Sequence, residues 1–444
     1  MTHESPKNFT KLLEQLLNSR QAQNGEEQMM YLGELGAVCE SVFDFSQALI
    51  YYKELLELSE KKNDCVTQET ALYNLANCYR QLSKFHNSLD YFSRLIATTR
   101  NSGNRLLQIA GFWGKGTNYQ NLGDYEKAIE CFQVQYALAC EMNERRWEKS
   151  ALGSLGNVYQ FLGEFPKALD YENRALTIAR ELGDVKAKAE SLVNLGSIYL
   201  QLRSWEMAID LCEQALAIAW ENNYQDLIMV SLHSLGQAYK GINQYVKAKD
   251  YLLKALEISD QIGEKRVRSA ILQGLSDVCS QTNQIEQAIK YNIESLNISR
   301  EIGNRFGEAA ALSRIAITYQ NIGKNSKALS YYQQSLTILQ KIGAKQSQEQ
   351  LFFNIGTIYY REKLYAKALG CLRTALILSE ELQIVAEQAR VQLAMGAVFH
   401  KLNQHENAIY HYRQAYQIYK CLGDERQAQQ MLKMMHKLGV EPSL

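Results

Sequence analysis

The chain has 444 residues, of which 46% are hydrophobic and 22% are charged, a composition typical of a folded globular protein. Lys and Arg number 48 together, as do Asp and Glu, and this neutral balance argues against a general nucleic-acid binder. No apolar run approaches the roughly 18 residues of a membrane span, and no signal-peptide pattern opens the sequence. Nine cysteines without a CxxC pair favour a reduced, cytoplasmic compartment.

The first predicted element is a helix over residues 8–20, and a regular period of 40 residues follows it from about residue 28. Rows of 40 residues align a column of small residues: Gly36, Ala76, Gly116, Gly156, Gly196, Gly236, Ser276, Ala316, Gly356 and Gly396. Twelve positions later each row again holds Ala or Ser, from Ala48 to Ala408. These two columns predict points where two helix backbones approach closely.

Each row also carries two stretches of apolar residues at helical spacing, with a break near Gly163 in the fourth row. Pro166 follows that break at the start of the second stretch, where a helix tolerates proline. The second stretch ends at a column that holds Gly, Asn or Gln, from Asn63 to Gly423, as expected for a left-handed helix cap. Each row is therefore predicted to be helix A, a tight turn, helix B and a capped turn. A further helix is predicted over 424–438.

The signature of Leu155, Gly156 and Tyr159, followed by Ala168, resembles the tetratricopeptide repeat. The 40-residue spacing is similar to the subclass found in Pins/LGN-type polarity adaptors, rapsyn, kinesin light chains and bacterial, especially cyanobacterial, arrays. This resemblance covers residues 28–427. It implies an all-α fold, a right-handed α-solenoid (superhelix) of ten tandem helical hairpins with N- and C-terminal capping helices. The domains would be 1–27 with the first capping helix, 28–423 with the ten repeats, and 424–444 with the second capping helix and tail.

In this family, helices A line a concave face on which bound segments lie. The positions of that face carry few charges here and many amides, hydroxyls and aromatic rings, which can hydrogen-bond a peptide backbone or anchor an interface. The alternative is a polar surface that only keeps the array in solution. The partner-binding residues predicted from the resemblance are Tyr73, Asn74, Asn77, Arg80, Trp113, Thr117, Gln120, Asn121, Asn157, Gln160, Asn194, His233, Gln237, Arg314, Asn354, Tyr360, Arg361, Arg390 and Lys401.

In rows eight to ten, the positions of the concave face carry four bases and no acids: Arg314, Arg361, Arg390 and Lys401. These bases are either a site for an acidic segment of the partner or unrelated surface charges. The family's carboxylate clamp, which holds chaperone C-termini, is not expected. Asn157 and Asn194 match its Asn positions. Uncharged residues occupy its basic positions, namely Gly153, Val230 and Ser234.

Lys115 replaces a core leucine in row three, and it is expected either to extend outward past Gly114 and Gly116 or to reach the groove beside Trp113. No metal site is expected, because the spacings of His400, His405 and His411 differ from a helical zinc pair. The sequence contains no catalytic motif and no cofactor fingerprint.

The sequence therefore predicts a non-catalytic scaffold or adaptor that binds a peptide or a helical segment of a partner protein. It predicts no binding to nucleic acid, no membrane span and no small-molecule cofactor. The alternative is a regulatory protein, similar to the bacterial members of the family that sense peptides. Such a protein would control a separately encoded response regulator, kinase or protease.

Overall fold

The computed structural model describes residues 5–439, with side chains from residue 9 onward. Residues 1–4 and 440–444, which belong to the predicted N-terminal segment and C-terminal tail, lie outside the described residues. All regular elements within the described range are α-helices: α1 (Ser5–Gln21), α2 (Gly25–Ser41), α3 (Phe45–Lys62), α4 (Cys65–Gln81), α5 (Phe85–Ser102), α6 (Arg105–Leu122), α7 (Tyr125–Glu141), α8 (Arg145–Phe161), α9 (Phe165–Glu181), α10 (Val185–Gln201), α11 (Trp205–Glu221), α12 (Gln225–Gly241), α13 (Tyr245–Ile262), α14 (Lys265–Gln281), α15 (Ile285–Glu301), α16 (Arg305–Asn321), α17 (Asn325–Lys341), α18 (Lys345–Arg361), α19 (Tyr365–Glu381), α20 (Val385–Lys401), α21 (His405–Cys421) and α22 (Glu425–His436).

The even-numbered helices from α2 to α20 are helices A, and the odd-numbered helices from α3 to α21 are helices B. They form ten consecutive hairpins, and this confirms the predicted all-α solenoid of tetratricopeptide type with capping helices α1 and α22. The chain divides into two compact units, unit 1 (residues 1–234) and unit 2 (residues 235–444), and the division falls within α12. Within residues 5–439, no helix has both the length and the apolar character needed to cross a bilayer.

The turns explain why the helices end where they do. In the turn after each helix B, the residue of the predicted cap column has a positive φ in every row, from 55° at Asn63 to 78° at Gly103. In the turn between helices A and B, a second column also has a positive φ, and it includes Phe43 at 62° and Arg203 at 58°. The Gly and Asn residues of the first column predicted its left-handed conformation. In the second column, the sequence indicated only the break near Gly163.

The small-residue column lets most helices A approach a large side chain of the helix B in the same hairpin. A Cβ atom added to Gly36 would lie 2.4 Å from the Tyr52 ring, and one added to Gly396 would lie 2.6 Å from the Tyr412 ring. Both rings are almost completely buried. The ring therefore occupies the space that a side chain at the glycine position would fill.

Both ends of the array are closed by an amphipathic helix. In unit 1, Leu12 and Leu16 of α1 belong to the same core cluster as Leu32 of α2. In unit 2, Met431 and Met435 of α22 are buried in the core cluster that also contains Tyr412. These contacts cover the apolar faces that the terminal hairpins would otherwise expose to water.

We expect Gly396→Ala to lower the free energy of unfolding by about 1–3 kcal/mol, because the new methyl group would displace the Tyr412 ring. Gly370→Ala in α19 is the matched control. Position 370 is exposed and has no atom within 4 Å of an added Cβ, so the better helix propensity of alanine should stabilise the protein by up to about 1 kcal/mol. Chemical denaturation of both variants checks the signs, and equal effects would contradict the close approach.

Candidate functional site

Polar side chains link consecutive helices A on the surface that the sequence predicts to bind a partner. In unit 1, Nε2 of Gln120 donates to Oδ1 of Asn157 at 2.6 Å, and Nε2 of Gln160 donates to Oγ of Ser197 at 2.9 Å. In unit 2, Lys240 pairs with Asp277 at 2.9 Å, and Gln320 donates to Thr357 at 3.4 Å. Each pair is 37 residues apart, and we call these four pairs the inter-repeat ladder.

The predicted anchors of rows two and three form one cluster. The guanidinium of Arg80 lies 5.0 Å from the centre of the Trp113 ring, and its Nη2 donates to Oδ1 of Asn77 at 2.9 Å. Nδ2 of Asn77 donates in turn to the backbone oxygen of Tyr73 at 3.1 Å. Burial lowers the pKa of the Arg80 guanidinium. This cluster is a preformed cationic and aromatic feature on the helix A surface of unit 1.

Some of the predicted residues are held by contacts within the protein. The Tyr73 ring packs edge-on against Phe92 at 6.4 Å, so it contributes to the core, and Asn74 lies half-buried beside it on α4. On α6, Thr117 donates to the backbone oxygen of Trp113, and the exposed Asn121 donates to that of Thr117, each at 2.9 Å. Thr117 thereby offers its acceptor oxygen, whereas Asn121 keeps its second N–H and its amide oxygen.

Lys115 lies beside an aromatic ring of its own helix. Its Nζ lies 6.0 Å from the centre of the Tyr119 ring, and the side chain is half-buried. The space beside Gly114 is filled by Phe92, and the space beside Gly116 is filled by Phe132. The glycines in row three therefore accommodate rings from helices B.

Asn194, one of the predicted partner-binding residues, hydrogen-bonds a buried carboxyl group. Its Nδ2 donates to Oε1 of Glu172 at 3.1 Å, and Glu172 is only 1% exposed. Burial raises the pKa of Glu172 to about 8, although the hydrogen bond from Asn194 acts in the opposite direction. The folded protein therefore holds Glu172 protonated at neutral pH.

His233 and Gln237 lie half-buried on α12, His233 in unit 1 and Gln237 in unit 2. Further along unit 2, Asn354 hydrogen-bonds the Tyr332 hydroxyl, which itself donates to Oε1 of Gln320 at 2.8 Å. The Tyr360 ring lies 6.1 Å from that of Tyr365. The amide and aromatic character predicted for this surface thus continues into unit 2.

The predicted basic end is smaller than the sequence indicates. Arg314 forms an ion pair with Asp277. Arg390 pairs with Glu387 at 2.5 Å and Glu349 at 3.6 Å. Two of the four predicted bases therefore already have acids beside them, and both acids Asp277 and Glu349 come from the preceding row.

Arg361 and Lys401 remain exposed at the ends of α18 and α20. His411 is not grouped with the other two histidines, since it hydrogen-bonds Gln392 at 2.6 Å and stacks on Phe399, whereas His400 contacts His405. In the part of the chain that the structure describes, no group of three His, Cys, Asp or Glu side chains could hold a metal ion.

The predicted partner-binding set lacks five members of the ladder: Ser197, Lys240, Asp277, Gln320 and Thr357. Sequence reasoning also missed the column of helix B side chains that face the small-residue column. That column reads Tyr52, Phe92, Phe132, Glu172, Cys212, Leu252, Asn292, Tyr332, Leu372 and Tyr412. Glu172 and Asn292 are polar residues in a column that is otherwise mostly large and apolar. This contrast in the sequence could have identified both as unusual positions.

A family model described as tetratricopeptide repeat matches residues 67–141, 108–181, 188–261, 267–341 and 347–420, well over half of the chain. No curated protein gives a significant match.

Solved structures share the fold at low identity. A Rap protein complexed with competence and sporulation factor is 13% identical, with a TM-score of 0.55, over 80% of this chain and 99% of that chain. Aspartyl phosphate phosphatase F from Bacillus subtilis is 15% identical, with a TM-score of 0.52, over 78% and 93% of the two chains. A signal transduction ATPase with a tetratricopeptide repeat sensor from Pyrococcus horikoshii is 17% identical, with a TM-score of 0.51, over 78% and 55%.

Because the folded-state pKa of Glu172 lies above the ordinary value of 4.5, the unfolded chain releases this proton first as the pH rises. The stability of the wild type should therefore fall between about pH 4.5 and 8, by about 1.4 kcal/mol for each pH unit. We expect Glu172→Gln to remove this slope and to raise the melting temperature at pH 8. Thermal unfolding from pH 5 to 9 checks it, with the exposed Glu130→Gln as control. Parallel profiles for wild type and Glu172→Gln would show that Glu172 is ionised in the folded protein.

Proposed function

Since the chain belongs to the tetratricopeptide repeat family, we propose that it is a non-catalytic scaffold or adaptor that binds a segment of a partner protein along its helices A. The observation that supports this proposal is the spacing of the inter-repeat ladder. Its side chains present hydrogen-bonding groups at a repeated 37-residue spacing, with two pairs in unit 1 and two in unit 2.

The chemistry of the ladder suits a peptide backbone. The bond between Gln120 and Asn157 uses one donor hydrogen of Gln120 and one lone pair of Asn157. Each amide therefore keeps further donors and acceptors, which a bound segment can pair with its own N–H and C=O groups. Beside the ladder, the Phe161 ring, 64% exposed, supplies apolar area for side chains of the segment, and the cluster of Arg80 and Trp113 supplies a cationic and aromatic contact.

A second candidate is a regulatory protein that senses a peptide and controls a separately encoded signalling partner, a response regulator, kinase or protease. The likeness to the Rap protein crystallised with competence and sporulation factor supports this reading at the level of fold, since it extends over 80% of this chain. Both candidates use the same helix A surface. We propose a cytoplasmic location for either, with the chain divided into 1–27, 28–423 and 424–444.

The binding surface can be tested with Gln120→Ala/Asn121→Ala/Asn157→Ala. The matched control is Asn173→Ala/Gln214→Ala on helices B, where Nδ2 of Asn173 donates to the backbone oxygen of Leu169 at 2.8 Å, as Asn121 does to that of Thr117. A photo-crosslinking residue at position 121 or 173 captures partners from the source cell, and mass spectrometry identifies the crosslinked segment.

We expect capture at position 121 and not at 173. A synthetic copy of the segment should bind the triple variant at least about tenfold more weakly than the control, because several shared hydrogen bonds are lost. Calorimetric titration measures both affinities. Equal affinities for the triple variant and the control would reject the helix A surface as the binding site.

We propose that Arg361 and Lys401 contact an acidic part of the partner. They are the two exposed residues among the four bases predicted for this end of the array. Arg361→Glu/Lys401→Glu should weaken binding of the captured partner by about threefold to tenfold at low salt, and by less at high salt, because exposed charges are screened. Titrations at two salt concentrations measure this. A loss of affinity that does not depend on salt would point to lost packing instead of charge.

A further inference from the structure

Unit 2 contains a cleft of about 400 Å³ on the side of the inter-repeat ladder. Its lining combines the ladder pair Lys240 and Asp277 with Arg314 from the next helix A, and Asn292 of α15 forms part of the wall. A second cleft of about 270 Å³ shares Arg314 and Ile317 with the first and is lined mostly by apolar and small residues of rows eight and nine. The two clefts are therefore neighbours along the array.

The first cleft arises from a change in the column of large helix B side chains. One row later the same position holds Tyr332, whose ring is fully buried and whose hydroxyl reaches Gln320 on helix A. Asn292 is too short to fill that volume. Opposite it, Ser276 occupies the small-residue column, and its hydroxyl donates to the backbone oxygen of Ala288 at 3.0 Å.

Asn292 is 0% exposed, and neither Nδ2 nor Oδ1 has a hydrogen-bond partner among the described residues. A buried amide with both ends unpaired is costly to a protein, and most such groups in native structures have a partner. Asn292 belongs to the residues that line the cleft, so a rotation of its buried side chain would let a group placed in the cleft pair with the amide. Packing alone would be better served by the leucine found at Leu252 and Leu372 of the same column.

The charged residues around Asn292 determine whether the group that enters the cleft is an anion or a cation. Lys240 lies 2.9 Å from Asp277, and Arg314 pairs with the same carboxylate. These are the three charged residues that line the cleft in the described chain, so two cations face one anion and one positive charge is left over. An entering anion would balance the charges, whereas an entering cation would be repelled.

We propose that this cleft binds the side-chain carboxylate of an acidic residue in the bound segment. The carboxylate accepts from Nδ2 of Asn292 and from Lys240 or Arg314, and a backbone N–H of the segment donates to Oδ1 of Asn292. The neighbouring cleft, with Phe306 and Leu339 in its wall, takes an adjacent apolar side chain of the same segment. This inference rests on the proposed binding of a segment along helices A.

The cleft can be tested without knowing the partner. The probes are single residues capped at both ends, N-acetyl-glutamate N-methylamide and the corresponding glutamine and leucine compounds, titrated at millimolar concentrations into the whole isotope-labelled protein. Side-chain amide signals are followed by NMR, with that of Asn292 identified by its loss in Asn292→Leu. We expect saturable binding of capped glutamate, weaker binding of capped glutamine, and no binding of capped leucine.

Two variants should change this affinity in opposite directions. Asn292→Leu places the residue of neighbouring rows at this position, so it should fold with a higher melting temperature and bind capped glutamate at least about tenfold more weakly. Asp277→Asn removes the competing negative charge, so it should bind capped glutamate several-fold more tightly and leave capped glutamine unchanged. Added salt should reduce the effect of Asn292→Leu on the affinity for capped glutamate less than it reduces the effect of Asp277→Asn.

The proposal is overturned if capped glutamate does not bind, or if Asn292→Leu becomes more stable and binds it as the wild type does. The second result would make Asn292 a packing defect that water satisfies. Equal affinity for capped glutamine and glutamate, unaffected by Asp277→Asn, would also reject a site for a carboxylate. A failure of the ladder variant to affect partner binding would reject the proposed function, while the capped-residue titration reports on the cleft alone.

Discussion

The close approach of each helix A to its helix B determines the rest of this structure. The approach requires a residue without a bulky side chain on helix A, as at Gly36 and Gly396, and a large side chain on helix B that occupies the freed space. Because this contact fixes the distance between the two helices of a hairpin, it also sets which helix A side chains lie opposite those of the next hairpin. The inter-repeat ladder and the cleft in unit 2 both follow from that spacing.

Most of the fold could be predicted from the sequence, because each element has a local physical cause repeated in every row. The left-handed cap after helix B is an example, since Gly and Asn at positions such as Gly103 and Asn63 tolerate that backbone conformation. The equivalent conformation at Phe43 and Arg203 could not be predicted. Their side chains disfavour it, and the requirement to close the hairpin prevails over the local preference.

The candidate site was predicted less completely, because pairing between rows depends on the offset of neighbouring helices. The sequence indicated correctly that Gln120 and Asn157 belong to helices A, yet a single row does not contain the partner of either side chain. The same limitation applies to the pair of Arg314 with Asp277 and to that of Arg390 with Glu349, since both acids come from the preceding row. A search for complementary polar residues 37 positions apart would have identified several of these pairs.

The ladder also bears on what kind of recognition this surface can achieve. A side chain such as Gln160 uses one N–H on Ser197, and water can pair with its remaining polar groups, so a segment that binds them exchanges hydrogen bonds to water for hydrogen bonds to protein. The net enthalpy of each exchange is small, and a wrongly spaced segment leaves polar groups unpaired at a larger cost. If the proposed segment binds here, such a surface would discriminate by mismatch more than it gains by match, which favours selectivity over high affinity.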